Sequence, residues 1–97
     1  MIYFIENKDG YIKIGSTSNL KQRIARLQTS DPFPLKVLYT IDIPDEESLI
    51  FEKHVHSICV NYLISGEWYK KSVLEEHLLK HPYYKKNMKL YDSSLLV

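Results

Sequence analysis

The chain has 97 residues, of which 44% are hydrophobic and 26% charged, and its formal net charge is +1. This composition excludes a disordered or collagen-like chain and predicts one globular domain with a modest core. Cys59 is the single cysteine, which excludes an internal disulfide and a multi-cysteine zinc site and favours a reducing compartment. No apolar run reaches membrane-spanning length, and the apolar start is too short for a signal peptide, so we expect no membrane association.

Charged residues are unevenly distributed behind the small net charge. Residues 8–26 carry five bases and one acid, residues 42–52 carry five acids and no base, and residues 80–89 carry four bases and no acid. Two basic segments on either side of an acidic one suit a polyanion with a metal ion at its centre. The alternative is that these runs are only solvated faces.

The first elements in chain order form a predicted hairpin. Residues 1–5 are rich in β-branched and aromatic side chains and predict a strand, and Asp9-Gly10 predicts a tight turn. Residues 11–15 then form the second strand, in which polar and apolar residues alternate. Tyr11, Lys13 and Gly15 therefore share one face of the sheet.

A helix is predicted over residues 19–28. Asn19 is a preferred N-cap residue with Gln22 three positions later, and apolar residues recur at helical spacing after it. This spacing leaves Arg23 and Arg26 one turn apart, where they project toward the end of the second strand or into water. Two prolines then end the helix in a loop over residues 29–34.

The remaining elements are a strand at residues 35–43, a helix at residues 45–62, a short strand or an extended stretch packed on the sheet at residues 67–70, and a helix at residues 72–80. Ser72 and Glu75 fit a capping box at the start of the last helix. After Pro82, residues 83–97 alternate lysine with aromatic and apolar residues and show no clear period.

The helix at residues 45–62 has two distinct faces. One is an apolar stripe of Phe51, Val55, Ile58 and Tyr62. On a neighbouring face, Glu52 and His56 lie one turn apart, so both could reach one metal ion or one water molecule. The alternative is an ordinary hydrogen bond on the helix surface.

Four short motifs occur in order along the chain. They are Lys13-Ile14-Gly15, Arg23 followed by Leu27-Gln28, Glu52 followed by His56, and Gly66-Glu67-Trp68-Tyr69. Over about residues 1–70 the chain thereby resembles the GIY-YIG nuclease domain, in its small phage and bacterial branch. Met1-Ile2-Tyr3 stands at the place of the first motif, although the motif glycine is missing.

This resemblance implies an α+β fold with a three-stranded antiparallel sheet flanked by helices, in which the side chains of Tyr3 and Lys13 lie on one face of the sheet. It implies a nuclease domain at residues 1–81, followed by a basic and aromatic tail at residues 82–97. The implied function is a metal-dependent endonuclease that hydrolyses phosphodiester bonds in DNA. The implied location is the cytoplasm of a bacterial cell, or of the host cell if a phage or virus encodes the chain.

The resemblance also implies roles for individual residues. Glu52 would bind Mg²⁺ or Mn²⁺, Arg23 would stabilise the charged transition state, and Tyr3 would activate or position the attacking water. Lys13 stands where the family has tyrosine and would bind phosphate or lower the pKa of a neighbour. His56 would support the metal ligand or would only make a helix hydrogen bond. The expected nucleic-acid contacts are Tyr11, Lys21, Arg26, Lys85, Lys86 and Lys89, of which the last three could instead belong to a loose tail.

Two further functions remain open at this point. The missing glycine and Lys13 in place of tyrosine allow a nucleic-acid-binding module that has lost turnover. The basic ends would also suit a small interaction protein that binds another protein. Because the sequence shows no second DNA-binding domain, a nuclease of this size would either form a homodimer or cut with little specificity.

Overall fold

The computed structural model describes residues 1–91, and its centre is one antiparallel sheet. The strands are β1 (Ile2–Glu6), β2 (Ile12–Ser16), β3 (Lys36–Ile41), β4 (Leu63–Ser65), β5 (Trp68–Tyr69) and β6 (Lys89–Leu90). The helices are α1 (Leu20–Thr29), α2 (Asp45–Ile58), α3 (Ser72–Glu76) and α4 (Pro82–Asn87), with short 3-10 turns at Val60–Tyr62 and Leu78–Lys80. The strand order is β4-β5-β2-β1-β3-β6.

The hairpin of β1 and β2 forms the middle of this sheet. Gly10 adopts a φ of 81°, a left-handed conformation that side chains disfavour, and Asn7 closes the turn by accepting the Tyr11 N–H through its side chain at 2.9 Å. The strands pair with Tyr3 opposite Gly15 and Ile5 opposite Lys13. Directly opposed residues share a face, so the side chains of Tyr3 and Lys13 lie on the same side of the sheet, as expected.

The two faces of the sheet carry cores of different size. The larger core packs Ile2, Phe4, Ile12 and Ile14 against α2, α3 and α4. The smaller core contains Tyr3, Ile5, Leu20 and Val37, with Ile24 and Leu27 of α1 packed against it. Residues on alternating positions of β1 therefore supply both cores, which explains why four consecutive residues of this strand are buried.

Caps and dipoles explain where the two long helices begin. The Asn19 side chain accepts the Gln22 N–H at 3.1 Å and caps α1, as its sequence predicted. Helix α2 follows Pro44 and has Asp45, Glu46 and Glu47 in its first turn, where carboxylates stabilise the positive end of the helix dipole.

The predicted three-stranded sheet is wrong, because the sheet has six strands. The three additional strands, β4, β5 and β6, have only two or three residues each. Segments this short give no alternating pattern that a sequence could reveal. The β4–β5 hairpin turns at Gly66, whose φ is 57°, and β6 pairs with β3 at the opposite edge.

The later helices also differ from their predicted bounds. Helix α2 ends at Ile58, and the chain continues as a 3-10 turn to Tyr62. The helix predicted over residues 72–80 is interrupted at His77, whose φ of −131° is not helical. The predicted capping box does not form, since Ser72 is already the first helical residue and Lys71 caps without a side-chain hydrogen bond.

Residues 82–91 form part of the domain and do not extend from it as a tail. Tyr84 of α4 is buried in the larger core, as is Met88, and β6 extends the sheet. Residues 92–97 of the predicted tail lie outside the described part of the chain. Within residues 1–91, no helix is long and apolar enough to cross a lipid bilayer.

Replacing Tyr84 with alanine should therefore destabilise the whole domain. Truncating a buried aromatic residue typically costs about 3–5 kcal/mol, and the Tyr84 side chain is 1% exposed. Tyr83→Ala is the matched control, because Tyr83 is 40% exposed and a surface change typically costs about 0.5 kcal/mol. Urea unfolding of both variants tests this, and a loss for Tyr84→Ala as small as that expected of a surface change would mean that α4 does not belong to the core.

Candidate functional site

Tyr3 and Arg23 meet over the end of β2. The Tyr3 ring lies across Gly15, where a Cβ atom would collide with the phenol oxygen. Arg23 projects from α1, and its Nε donates to the Tyr3 hydroxyl oxygen at 3.2 Å. This bond uses only the Nε–H of the guanidinium, so the two terminal nitrogens keep their donors for another acceptor such as a phosphate.

Burial determines the protonation state of this phenol. Desolvation raises the pKa of Tyr3, although the hydrogen bond from Arg23 acts in the opposite direction. Tyr3 is therefore a neutral phenol at pH 7 and keeps its own O–H as a donor. The same hydrogen bond raises the pKa of Arg23, which remains a cation.

Lys13 lies on the same face of the sheet, beside β5. Its Nζ is 3.3 Å from an Oε atom of Glu67 and 5.3 Å from the centre of the Trp68 ring. The Lys13 side chain is only 14% exposed. Lys13 is therefore held by an ion pair and an aromatic neighbour, and a phosphate that approached it would compete with Glu67.

Glu52 approaches the end of β2 from the other face of the sheet. The Ser16 hydroxyl donates to one Glu52 oxygen, and His56 Nε2 is 3.9 Å from the other. The Glu52 side chain is 13% exposed. Within residues 1–91 no lysine or arginine nitrogen lies within 4 Å of this carboxylate.

His56 connects α2 to β2. Its Nε2 is 2.8 Å from the backbone carbonyl oxygen of Ile14, and a carbonyl only accepts, so Nε2 carries the proton. The ring also packs near Tyr69, with centroids 5.6 Å apart. His56 therefore does more than make a hydrogen bond within its helix, because it fixes the turn of α2 that carries Glu52.

The two sides of this site act on each other electrostatically. The charges of Glu67 and Glu52 both contribute to raising the pKa of Tyr3 and that of Arg23. Gly15, under the Tyr3 ring, and Ser16, bonded to Glu52, are also consecutive residues. The end of β2 therefore brings a phenol, a guanidinium and a carboxylate into one electrostatic neighbourhood.

One carboxylate with a hydroxyl beside it is a limited set of metal ligands. Within residues 1–91, no three His, Cys, Asp or Glu side chains converge to hold a metal ion. This excludes a protein-only zinc site among these residues. A single carboxylate fits Mg²⁺, which binds to proteins through one or two carboxylates and takes its other ligands from water and substrate phosphates.

The predicted nucleic-acid contacts fall into separate groups. Lys21 and Arg26 are exposed on α1, and Tyr11 is exposed at the start of β2, near the Tyr3 face. Lys85 and Lys86 are exposed on α4, which packs on the opposite face. Lys89 lies on β6, three strand spacings or about 14 Å from β2, and pairs with Asp42 at 3.4 Å.

Sequence reasoning missed two residues of this site. Ser16 follows the Lys13-Ile14-Gly15 motif directly, and a hydroxyl at the end of a strand was the only available signal. Glu67 was noted as a motif residue, but its pairing with Lys13 depends on the β2–β5 contact, which joins residues far apart in the chain.

A methyl group added at Gly15 should disturb both stability and the Tyr3–Arg23 contact. Gly15→Ala must displace the Tyr3 ring, and such overpacking typically costs about 1–3 kcal/mol. Urea unfolding of Gly15→Ala, Tyr3→Ala and the double variant measures the coupling. In the Tyr3→Ala background the added methyl group should cost little, and fully additive losses would contradict the proposed clash.

Comparison with known proteins identifies the family. The family model that matches the chain is that of the T5orf172 domain, over residues 1–82. Searches of curated proteins and of solved structures found no significant match. The matched family is not the GIY-YIG nuclease family, so the assignment drawn from the four short motifs is corrected. Because the match covers most of its length, the chain belongs to the T5orf172 domain family.

Proposed function

We propose that this protein is a metal-dependent endonuclease that hydrolyses phosphodiester bonds in DNA. The observation that carries the proposal is that the Tyr3–Arg23 pair and Glu52 lie on either side of the end of β2, at the consecutive residues Gly15 and Ser16. The Arg23 Nε–Tyr3 hydrogen bond fixes the first side. On the second, Glu52 accepts the Ser16 hydroxyl and lies on the helix that His56 ties to β2. A phosphate at the end of β2 would meet donors from the first side and, through a bound metal ion, the carboxylate of the second.

Arg23 would stabilise the charge that develops on the phosphate oxygens. Its Nε is already bound to Tyr3, which orients the planar guanidinium and leaves a pair of terminal N–H groups for bidentate contact. A donor held in place before the reaction costs no reorganisation in the transition state. Tyr3, as a neutral phenol, would position the attacking water or a phosphate oxygen through its own O–H.

Glu52 would be the protein ligand of Mg²⁺ or Mn²⁺. When bound, the ion would supply positive charge at the leaving oxygen and at the phosphate. Ser16 and His56 would act on Glu52 by holding its carboxylate and its helix turn in place. Within residues 1–91 the Glu52 carboxylate accepts a hydrogen bond from the Ser16 hydroxyl alone, so it has remaining acceptor capacity for a cation.

Lys13 and the exposed bases of α1 would bind the DNA backbone. Lys13, Lys21 and Arg26 carry charges on or beside the face that holds Tyr3. We place this activity in the cytoplasm, where the buried free thiol of Cys59 would stay reduced. A homodimer would provide a second DNA contact surface.

The competing proposal is a nucleic-acid-binding module without turnover. The ion pair between Lys13 and Glu67 favours it, because a lysine already neutralised by a carboxylate contributes less to catalysis. A plasmid-nicking assay with Mg²⁺ or Mn²⁺, and with a chelator as control, separates the two. Binding without any metal-dependent nicking would support the module and would end the nuclease proposal.

Glu52→Gln should abolish cleavage at every Mg²⁺ concentration while DNA binding stays equal or becomes tighter. The amide keeps the shape of the side chain but removes the charge that binds the ion and repels phosphate. Plasmid nicking and fluorescence anisotropy measure the two effects on the same preparation. Nicking by Glu52→Gln at near the wild-type rate would show that Glu52 is not the metal ligand.

Glu67→Gln is the matched control for the Glu52 variant. It removes a carboxylate of the same site that pairs with Lys13 and does not contact Ser16 or His56 within residues 1–91. This variant should still nick plasmid with metal. If both variants lose cleavage equally, the effect reflects the general charge of the site and not metal binding by Glu52.

Arg23→Ala should lower the cleavage rate far more than the affinity for DNA. Loss of one donor aimed at a developing charge typically costs about 10²–10³ in rate. Arg23→Lys keeps the charge but cannot bond Tyr3 and a phosphate through one planar group. Compared with Arg23→Ala, it should therefore recover more of the affinity for DNA than of the cleavage rate. Single-turnover cleavage measures the rate and anisotropy measures the affinity for DNA. Equal losses of rate and affinity in Arg23→Ala would make Arg23 a simple phosphate contact.

A further inference from the structure

The solvent side of α2 carries an apolar residue at its centre, with acids before it and bases after it. Successive residues of an α-helix are about 100° apart, so Ile50 lies on the side of α2 opposite the buried Ser48 and Val55. Ile50 itself is 74% exposed. The exposed acidic and basic residues within about 60° of it around the helix are Glu46, Glu47, Lys53 and His54. We call these four residues and Ile50 the α2 outer face.

Apolar side chains meet solvent at three consecutive positions of this helix. Leu49 is 60% exposed, Ile50 is 74% exposed, and Phe51 is partly exposed. A shallow depression beside Ile50 is also lined by Glu47, Phe51 and His54. A helix that only packs on a core has polar residues on its outer side. Exposed apolar residues that are adjacent and rimmed by polar ones mark a surface for protein contact.

The charged groups of the α2 outer face have capacity for a partner. Within residues 1–91, no lysine or arginine nitrogen lies within 4 Å of Glu46 or Glu47, and no carboxylate oxygen lies within 4 Å of Lys53. His54 Nδ1 is 2.9 Å from the Tyr84 hydroxyl oxygen, so Nε2 is the nitrogen that remains for an outside partner.

A second copy of α2 supplies the complementary charges. In a two-fold interface the same surface lies on both partners, and an axis beside Ile50 runs the two helices antiparallel with Ile50 against Ile50. Glu46 and Lys53 lie on one side of Ile50 around the helix, and Glu47 and His54 lie on the other. The members of each pair are nearly equidistant from Ile50 along the chain. Each acid of one copy therefore faces a base of the other.

We propose that the α2 outer face is the interface of a homodimer of this chain, with Glu46 paired to Lys53 and Glu47 to His54 between the two copies. A nucleic acid or an anionic lipid surface fits this face poorly, because the first turn of α2 holds three acids. The inference rests on the homodimer of the proposed function and adds the surface through which its two copies meet.

Pairing through this face leaves the candidate active site uncovered. Glu52 is two residues after Ile50 and therefore about 200° away around the helix, on the side that contacts Ser16 of β2. The dimer would carry two such sites. The α2 outer face extends over about two and a half helical turns. The interface is therefore small, and we expect reversible association with a dissociation constant on the order of micromolar or weaker.

Sedimentation velocity of the full chain, at concentrations from about 1 μM to about 1 mM, tests the interface. The wild type should change from monomer to dimer over this range. Glu46→Lys and Lys53→Glu should each raise the dissociation constant about tenfold or more, because like charges then face each other at both symmetric contacts. An equimolar mixture of the two variants should recover the dimer, because each reversed residue then faces an opposite charge.

Ile50→Lys should leave a monomer with the circular dichroism of the wild type, because it brings two like charges together at the two-fold axis. Glu75→Lys is the control for charge reversal, since Glu75 is an exposed acid on α3, and it should dimerise like the wild type. A wild type that stays monomeric at every concentration would overturn the inference. So would a dimer that Ile50→Lys does not weaken, or a mixture of the two reversed variants that stays monomeric. The measurement contains neither DNA nor metal, so its failure leaves the nicking result independent.

Discussion

The contact of the Tyr3 ring with Gly15 is the constraint on which the candidate site depends. It joins the two central strands on the face that α1 covers, and only a residue without a side chain leaves room for it. The Arg23 side chain then has a fixed acceptor, and α1 is oriented through that bond as well as through its apolar residues. A side chain added at Gly15 would therefore displace the Tyr3 phenol, the Arg23 guanidinium and helix α1 together.

The sheet also determines how the acidic part of the site is supported. Glu52 lies on the helix that packs against the larger core, and two polar contacts tie that helix to the end of β2. The carboxylate is therefore held by the helix that packs on the larger of the two cores. Groups that must keep their geometry for chemistry are expected on such rigid elements.

The sequence was sufficient for local features and insufficient for distant ones. The Asp9-Gly10 turn, the Asn19 cap and the shared face of Tyr3 and Lys13 depend on neighbouring residues or on the period of a strand, and the structure contains all three. The sheet of six strands was not predicted, because its outer strands are too short to show a period, and only β5 fell in a segment that the sequence offered as a short strand. The pairing of Lys13 with Glu67 was missed for a related reason, since it forms only when β5 joins β2.

The unequal size of the two cores has a consequence for motion. Helix α1 contributes Leu20 to a core of four buried residues, whereas α2 contributes Val55 to a core of thirteen. Helices with few buried contacts open locally at a lower free energy than the global unfolding of the domain. The amide hydrogens of α1 would therefore exchange with solvent before those of β1. The Arg23 guanidinium would then lie on the more mobile helix of the site, α1, and the Glu52 carboxylate on the more rigid one, α2.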